Sequence, residues 1–207
     1  MANRFFTKTI ILLIGLGLLF TICTVPTSAS ALSNHETQVK IPDFQSFVNS
    51  LENGQEGVLR GLYVKNTMAL RIAQQPIGDD NFITPVQGYV TEFRMAANQG
   101  TIGLLAHNYL AGQSFFQLAP EQEIYLIYGN KETKVFVVTD IQSYQTLSPA
   151  SPTSDFISLD SGKRFTASSL FSKIYSNGSG NLILQTCIFA DQNMYWGRLF
   201  VIAKPIT

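Results

Sequence analysis

"NLILQTCIFADQNMYWGRLFVIA", residues 181–203, contains two apolar runs. The first, Leu182–Thr186, ends on a thiol at Cys187. The second, Leu199–Ala203, follows a guanidinium at Arg198, eleven positions after the cysteine. Both runs are rich in branched and aromatic side chains, as strands are. Outward from this stretch the same signature recurs at Val58–Val64, Met68–Ala73, Gly88–Phe93, Gly103–Ala106, Glu123–Tyr128 and Lys134–Ser143, and Gly, Pro, Asn or Asp clusters divide most of these runs. That makes about eight short strands in some 150 residues, a pattern that predicts an all-β antiparallel barrel or sandwich. There is no strand–helix–strand rhythm, no Gly-rich phosphate loop and no repeat period.

Two segments carry helical spacing instead. In "IPDFQSFVNSLENG" the apolar residues Phe44, Phe47, Val48 and Leu51 recur at i, i+3, i+4 and i+7, with Asp43 as the cap and Gly54 as the stop. This predicts a short amphipathic helix. The connection from Tyr144 to Gly180 is long. Its "SPASPTSD" is a loop by composition, and "TASSLFSKIYSNG" reads as a second helix. Thr166 or Ser168 caps that helix; Leu170, Phe171, Ile174 and Tyr175 form its apolar face; Asn177-Gly178 stops it. Beside the cysteine strand it is either the wall of a binding groove or a helix that closes one end of the barrel.

The chain has 207 residues, 45% hydrophobic and 14% charged, with formal net charge zero. Such a length suits one domain with its own core. The charge balance excludes the basic footprint of a nucleic-acid binder. Residues 1–31 read as a signal peptide: Arg4 and Lys8 precede the run "TIILLIGLGLLFTICTV", and Ala29-Ser30-Ala31 supplies a small-x-small cleavage pattern. The alternative is an uncleaved membrane anchor, because the run approaches bilayer-spanning length. Either way the positive charges ahead of the run keep the N-terminus inside and send the rest out. Residues 32–57 then form a linker with the short helix, and residues 58–207 the β domain. Cys23 lies in the leader, so the exported part carries one thiol, Cys187, and no internal disulfide. A lone exported cysteine points to burial or to reactivity.

His107 closes the run "GTIGLLAHN". Strand ends at one barrel rim converge, so Cys187, His107 and Arg198 are expected to meet there. The set has a coherent chemistry: a thiolate nucleophile, an imidazole that carries a proton to a leaving amine, and a guanidinium that donates to an oxyanion. Each residue alone has a plainer reading, as a buried inert thiol, a surface or core histidine, and a solvated strand arginine. Scarcity favours the set, since the only other histidine, His35, lies in the polar linker. One cysteine and one domain histidine do not make a zinc site without several carboxylates, and no cofactor motif is present.

At these segments the sequence resembles the sortase family, cysteine transpeptidases of bacterial surfaces. The family's T-L-x-T-C stands here as Ile183-Leu184-Gln185-Thr186-Cys187, with isoleucine for the first threonine. Its histidine setting stands as Ala106-His107-Asn108 followed by Phe115-Phe116-Gln117-Leu118, and its arginine setting as Arg198-Leu199-Phe200-Val201-Ile202-Ala203. The resemblance covers roughly Leu59 to Ile206 and keeps the order His, Cys, Arg. It implies an eight-stranded barrel with a groove on one face. It also implies Cys187 as nucleophile, His107 as general acid/base and Arg198 as oxyanion and substrate clamp, with Thr186 and Asn108 at the substrate. The implied partners are a secreted protein carrying a sorting signal, often L-P-x-T-G, and an amine on peptidoglycan or a pilin. The short segment between Cys187 and Arg198 predicts a small wall on that side. No calcium motif is recognisable, and the residues assign no sortase class.

Three other readings stand beside this one. A peptidase would hydrolyse the same thioester. A sortase-like barrel could serve as a surface binding module without turnover. An L,D-transpeptidase also places histidine before cysteine, but it carries Ser-x-Gly where Gln185-Thr186 stand here and an arginine close behind the cysteine.

Overall fold

A computed structural model describes residues 40–206, except 152, 177 and 179. The leader reading, and the linker as far as residue 39, lie outside the described residues. In chain order the elements are α1 (Phe44–Leu51), β1 (Leu59–Val64), β2 (Met68–Gln74), β3 (Tyr89–Glu92), α2 (Arg94–Ala97), β4 (Ile102–Leu105), a 3-10 segment (Ala111–Gln117), β5 (Glu123–Tyr128), β6 (Thr133–Thr146), β7 (Phe156–Ser158), β8 (Arg164–Phe165), α3 (Ala167–Tyr175), β9 (Leu182–Ala190) and β10 (Asn193–Pro205).

Eight of the strands close on themselves. The order β10-β9-β4-β3-β2-β1-β5-β6 returns to β10 through a β10–β6 pairing. Closure removes the exposed edges that an open sheet would leave. The remaining strands, β7 and β8, extend from β6 as a short antiparallel flap. The expectation of an antiparallel barrel is corrected in two places: β2 pairs with β3, and β4 with β9, in parallel. The β2–β3 crossover is an irregular loop rather than a helix, so helical periodicity could not betray it.

The interior follows from period-two alternation. Leu182 and Leu184 on β9, Leu199 and Val201 on β10, and Leu62, Val90, Leu104 and Leu126 share one buried cluster. Ala111, Phe115 and Leu118, in and after the 3-10 segment, pack into the same cluster. Fully burying each large side chain stabilises the fold by about 1.5–3 kcal/mol.

Both longer helices lie on the outside of the barrel. Asp43 caps α1 by accepting a hydrogen bond from Ser46 N at 2.9 Å, and that bond holds its carboxyl below the usual carboxylate range. Phe47, Val48 and Leu51 then cover Tyr63 and Ile127. Gly61 permits this approach, since a Cβ there would stand 3.0 Å from the Phe47 ring. Thr166 caps α3 by accepting from Ser169 N. Leu170, Ile174 and Tyr175 pack on Tyr144, Ile183 and Phe200, a cluster separate from the barrel interior. The helix therefore covers an outer sheet face and does not close a barrel end. Among the described residues no helix is long and apolar enough to cross a membrane.

Candidate active site

The site begins with the alternation of β9. Leu184 points into the barrel and Ile183 outward under α3. Counting by twos, Gln185 and Cys187 share the outer face with Ile183. Across the antiparallel β9–β10 pair, Cys187 stands opposite Arg198, and Arg198 in turn opposite Tyr144 of β6. Directly paired residues project to one side, so the thiol and the guanidinium are neighbours. The eleven-residue spacing noted in the sequence is the hairpin register. It turns at Asp191-Gln192, both with positive φ.

This corrects the expected rim. Because β9 runs on to Ala190 and β10 already starts at Asn193, Cys187 and Arg198 sit within their strands, and only His107 lies past a strand end. Pairing of the polar segment around the turn extended both strands beyond their apolar runs. The connection itself is a tight hairpin, in keeping with the small wall expected there.

His107 comes from the other neighbour of β9. Leu105 pairs with Gln185 in parallel register, and Ala106 N donates to Gln185 O at 3.1 Å. His107 follows two residues after Leu105, as Cys187 follows Gln185, but past the end of β4. Cys187 and Arg198 thus share one row of β9 and β10, and His107 leaves the adjacent β4 just past its end. Past β4 the chain turns sharply: the His107 carbonyl accepts from both Leu110 N and Gly112 N at 3.0 Å. Asn108 Nδ2 donates to Met194 O at 3.1 Å, tying the turn to the β9–β10 hairpin. The His107 and Tyr109 rings stack, with centroids 5.1 Å apart and planes 21° from parallel.

Thr186 faces away from the outer side that carries Cys187. Its side chain is buried and its Oγ1 donates to Ala106 O at 2.9 Å. It braces the two strands from within the barrel, and strand alternation is the reason: neighbours of an outward cysteine point inward. Gly112 lies against it. A Cβ on Gly112 would stand 2.8 Å from His107 O and 2.9 Å from Thr186 Cβ.

The Cys187 thiol is half-buried and free. Burial pushes its pKa up, and the charge of Arg198 opposes the shift in part. The net effect favours the neutral thiol. Arg198 is held by its own strand, with Nη1 donating to Gly197 O at 2.9 Å and Tyr195 O at 3.3 Å. A guanidinium has five N–H donors, so donors remain for another oxygen.

A groove of about 290 Å³ opens at Arg198. Its floor is the preceding row of the sheet, Leu105, Gln185 and Phe200, and Arg198 also lines it. One wall is α3, through Leu170, Phe171 and Tyr175; the other includes Asp80, Asn81 and Ile83. The long connection thus supplies a groove wall. The opposite wall was missed in the sequence, and a buried glutamine holds it. Gln75 Nε2 donates to the carbonyls of Asp80 and Phe82, and Gln75 Oε1 accepts from Arg94 N. A polar residue inside a Gly/Asp loop gives no periodic signal. A larger cavity of about 930 Å³ lies elsewhere, against α1 and the ends of β1 and β5, and contains none of the three residues. Among the described residues no three His, Cys, Asp or Glu side chains stand together as a metal site would need.

Comparison with known proteins adds likeness to solved structures only. No family model and no curated protein matches the chain. Sortase A from Corynebacterium diphtheriae is similar at 14% identity and TM-score 0.49, over 74% of this chain and 62% of that one. The chain therefore matches less than two thirds of that protein's length. Sortase C-1 from Actinomyces oris is similar at 13% identity and TM-score 0.49, over 81% and 83%. A pilus-related sortase C of Group B Streptococcus is similar at 14% identity and TM-score 0.46, over 84% and 77%.

Proposed function

We propose that the protein is an exported cysteine transpeptidase of the sortase type. The observation that carries this reading is the direct cross-strand pair of Cys187 and Arg198, the latter lining a groove, with His107 in the turn that follows β4, the other strand paired with β9. The sequence motifs around the three residues support it independently.

In the proposed reaction the imidazole of His107 takes the proton of Cys187. The thiolate attacks a backbone carbonyl carbon of a sorting-signal peptide lying in the groove. A C–S bond forms, and the oxygen takes negative charge beside Arg198. The C–N bond then breaks as His107 returns its proton to the leaving amine, which leaves a thioester on Cys187. A second amine, on peptidoglycan or a pilin, attacks the thioester, gives its proton to His107, and the sulfur departs. The partners are thus a secreted protein with a sorting signal and a cell-surface amine. The enzyme would work outside the cytoplasmic membrane, delivered by its leader or anchored through it. Asn108 is assigned to the substrate side of the turn, although its amide is also engaged with Met194.

The amine step separates this reading from its rivals. Peptides built around L-P-x-T-G are offered with hydroxylamine or a glycine peptide, and the products are identified by mass. A transpeptidase yields the acyl-amine. A peptidase yields the free acid even at millimolar amine. A binding module yields no product and no acylated protein.

A further inference from the structure

The general acid/base proposed above needs an orienting partner. Where an imidazole serves a nucleophile, a third group usually fixes its ring. Here, among the described residues, no hydrogen bond holds the nitrogens of His107. Its backbone is well fixed, through the two bonds to the His107 carbonyl and the Asn108 bond to Met194. What is left free is rotation of the ring. The contact that limits this rotation is the face of Tyr109, stacked at 5.1 Å and 21°. Tyr109 is 55% exposed, so core packing does not explain its placement.

We infer that Tyr109 is a positioning residue for His107, its ring face setting the plane in which the imidazole exchanges a proton with Cys187. The inference rests on the functional reading above and deepens it. Offset or near-parallel aromatic pairs at this separation attract each other beyond simple burial. A ring held in one plane keeps its nitrogen aimed along one line, and small misplacements of a reacting group cost large factors in rate. The tyrosine hydroxyl plays no part in this geometry; the ring face does.

The test compares wild type, Tyr109→Ala and Tyr109→Phe by two measurements. The first is the rate constant for acylation of Cys187, read by intact mass. Tyr109→Ala should lower it by about ten- to a hundredfold with little change in KM, and Tyr109→Phe should restore it to within about twofold. The second is the NMR signal of the His107 ring protons, which the Tyr109 face shields in wild type and Tyr109→Phe. In Tyr109→Ala they should move downfield. Wild-type acylation by Tyr109→Ala, unmoved ring protons, or a loss that phenylalanine does not repair would each overturn the inference. If no peptide acylates the wild type, the functional reading fails instead, and the ring protons still decide whether Tyr109 stacks on His107 in solution.

Discussion

Cys187 receives two opposed influences from its place on the sheet. Burial favours the neutral thiol, and Arg198 favours the thiolate, with burial the larger. The thiolate fraction therefore rises only as pH climbs above the ordinary thiol range of about 8.5. We expect alkylation of Cys187 in the folded protein to follow a pH midpoint above that value. In Arg198→Gln the midpoint should move higher still, because the opposing charge is gone. An unchanged midpoint would mean that the guanidinium does not act on the sulfur. Arg198→Lys keeps the charge but loses the planar fork. Turnover should then fall on the order of 10²–10³, the usual effect of losing one oxyanion donor; an unchanged rate would leave Arg198 an ordinary strand residue.

The element that matters most is the turn after β4. Its backbone bonds, Thr186 and Gly112 form one small assembly that carries His107. There is no room for a side chain at residue 112, because the obstructing atoms include the His107 carbonyl itself. Gly112→Ala should destabilise the fold by ~1–3 kcal/mol, as overpacking does, and also lower the acylation rate, since the displaced atom belongs to the turn that carries His107. Thermal unfolding alongside the acylation rate checks this; wild-type activity would refute it. Little of this assembly was legible in sequence. The 3-10 segment Ala111–Gln117 has no 3.6-residue period, and the inward aim of Thr186 depends on knowing that Cys187 points out. By contrast, α1 and α3 could be read from their spacing and their caps Asp43 and Thr166, because those signals are local.

At the scale of the whole molecule, the barrel brings distant segments side by side. Each of the eight barrel strands announces itself by composition, but the parallel joins of β2 to β3 and β4 to β9 do not. Leu105 and Gln185 lie far apart in the chain, and only closure of the barrel makes them neighbours. The pairing of Cys187 with Arg198 follows the hairpin that the two neighbouring apolar runs suggest, while the place of His107 in a turn beyond β4 depends on the parallel join and could not be read. The proposed export is tested at the same scale. We expect a mature N-terminus at Leu32, after Ala29-Ser30-Ala31; N-terminal sequencing of the exported protein checks it, and a start at Met1 or Ala2 would make the leader an anchor. The central claim, that Cys187 forms a thioester, is tested most directly by intact mass after exposure to peptides around L-P-x-T-G. The account predicts a covalent acyl adduct on Cys187 of the wild type, and none on Cys187→Ala or His107→Ala. A wild type that stays unmodified by every peptide, or a Cys187→Ala protein that still turns substrate over, would contradict it.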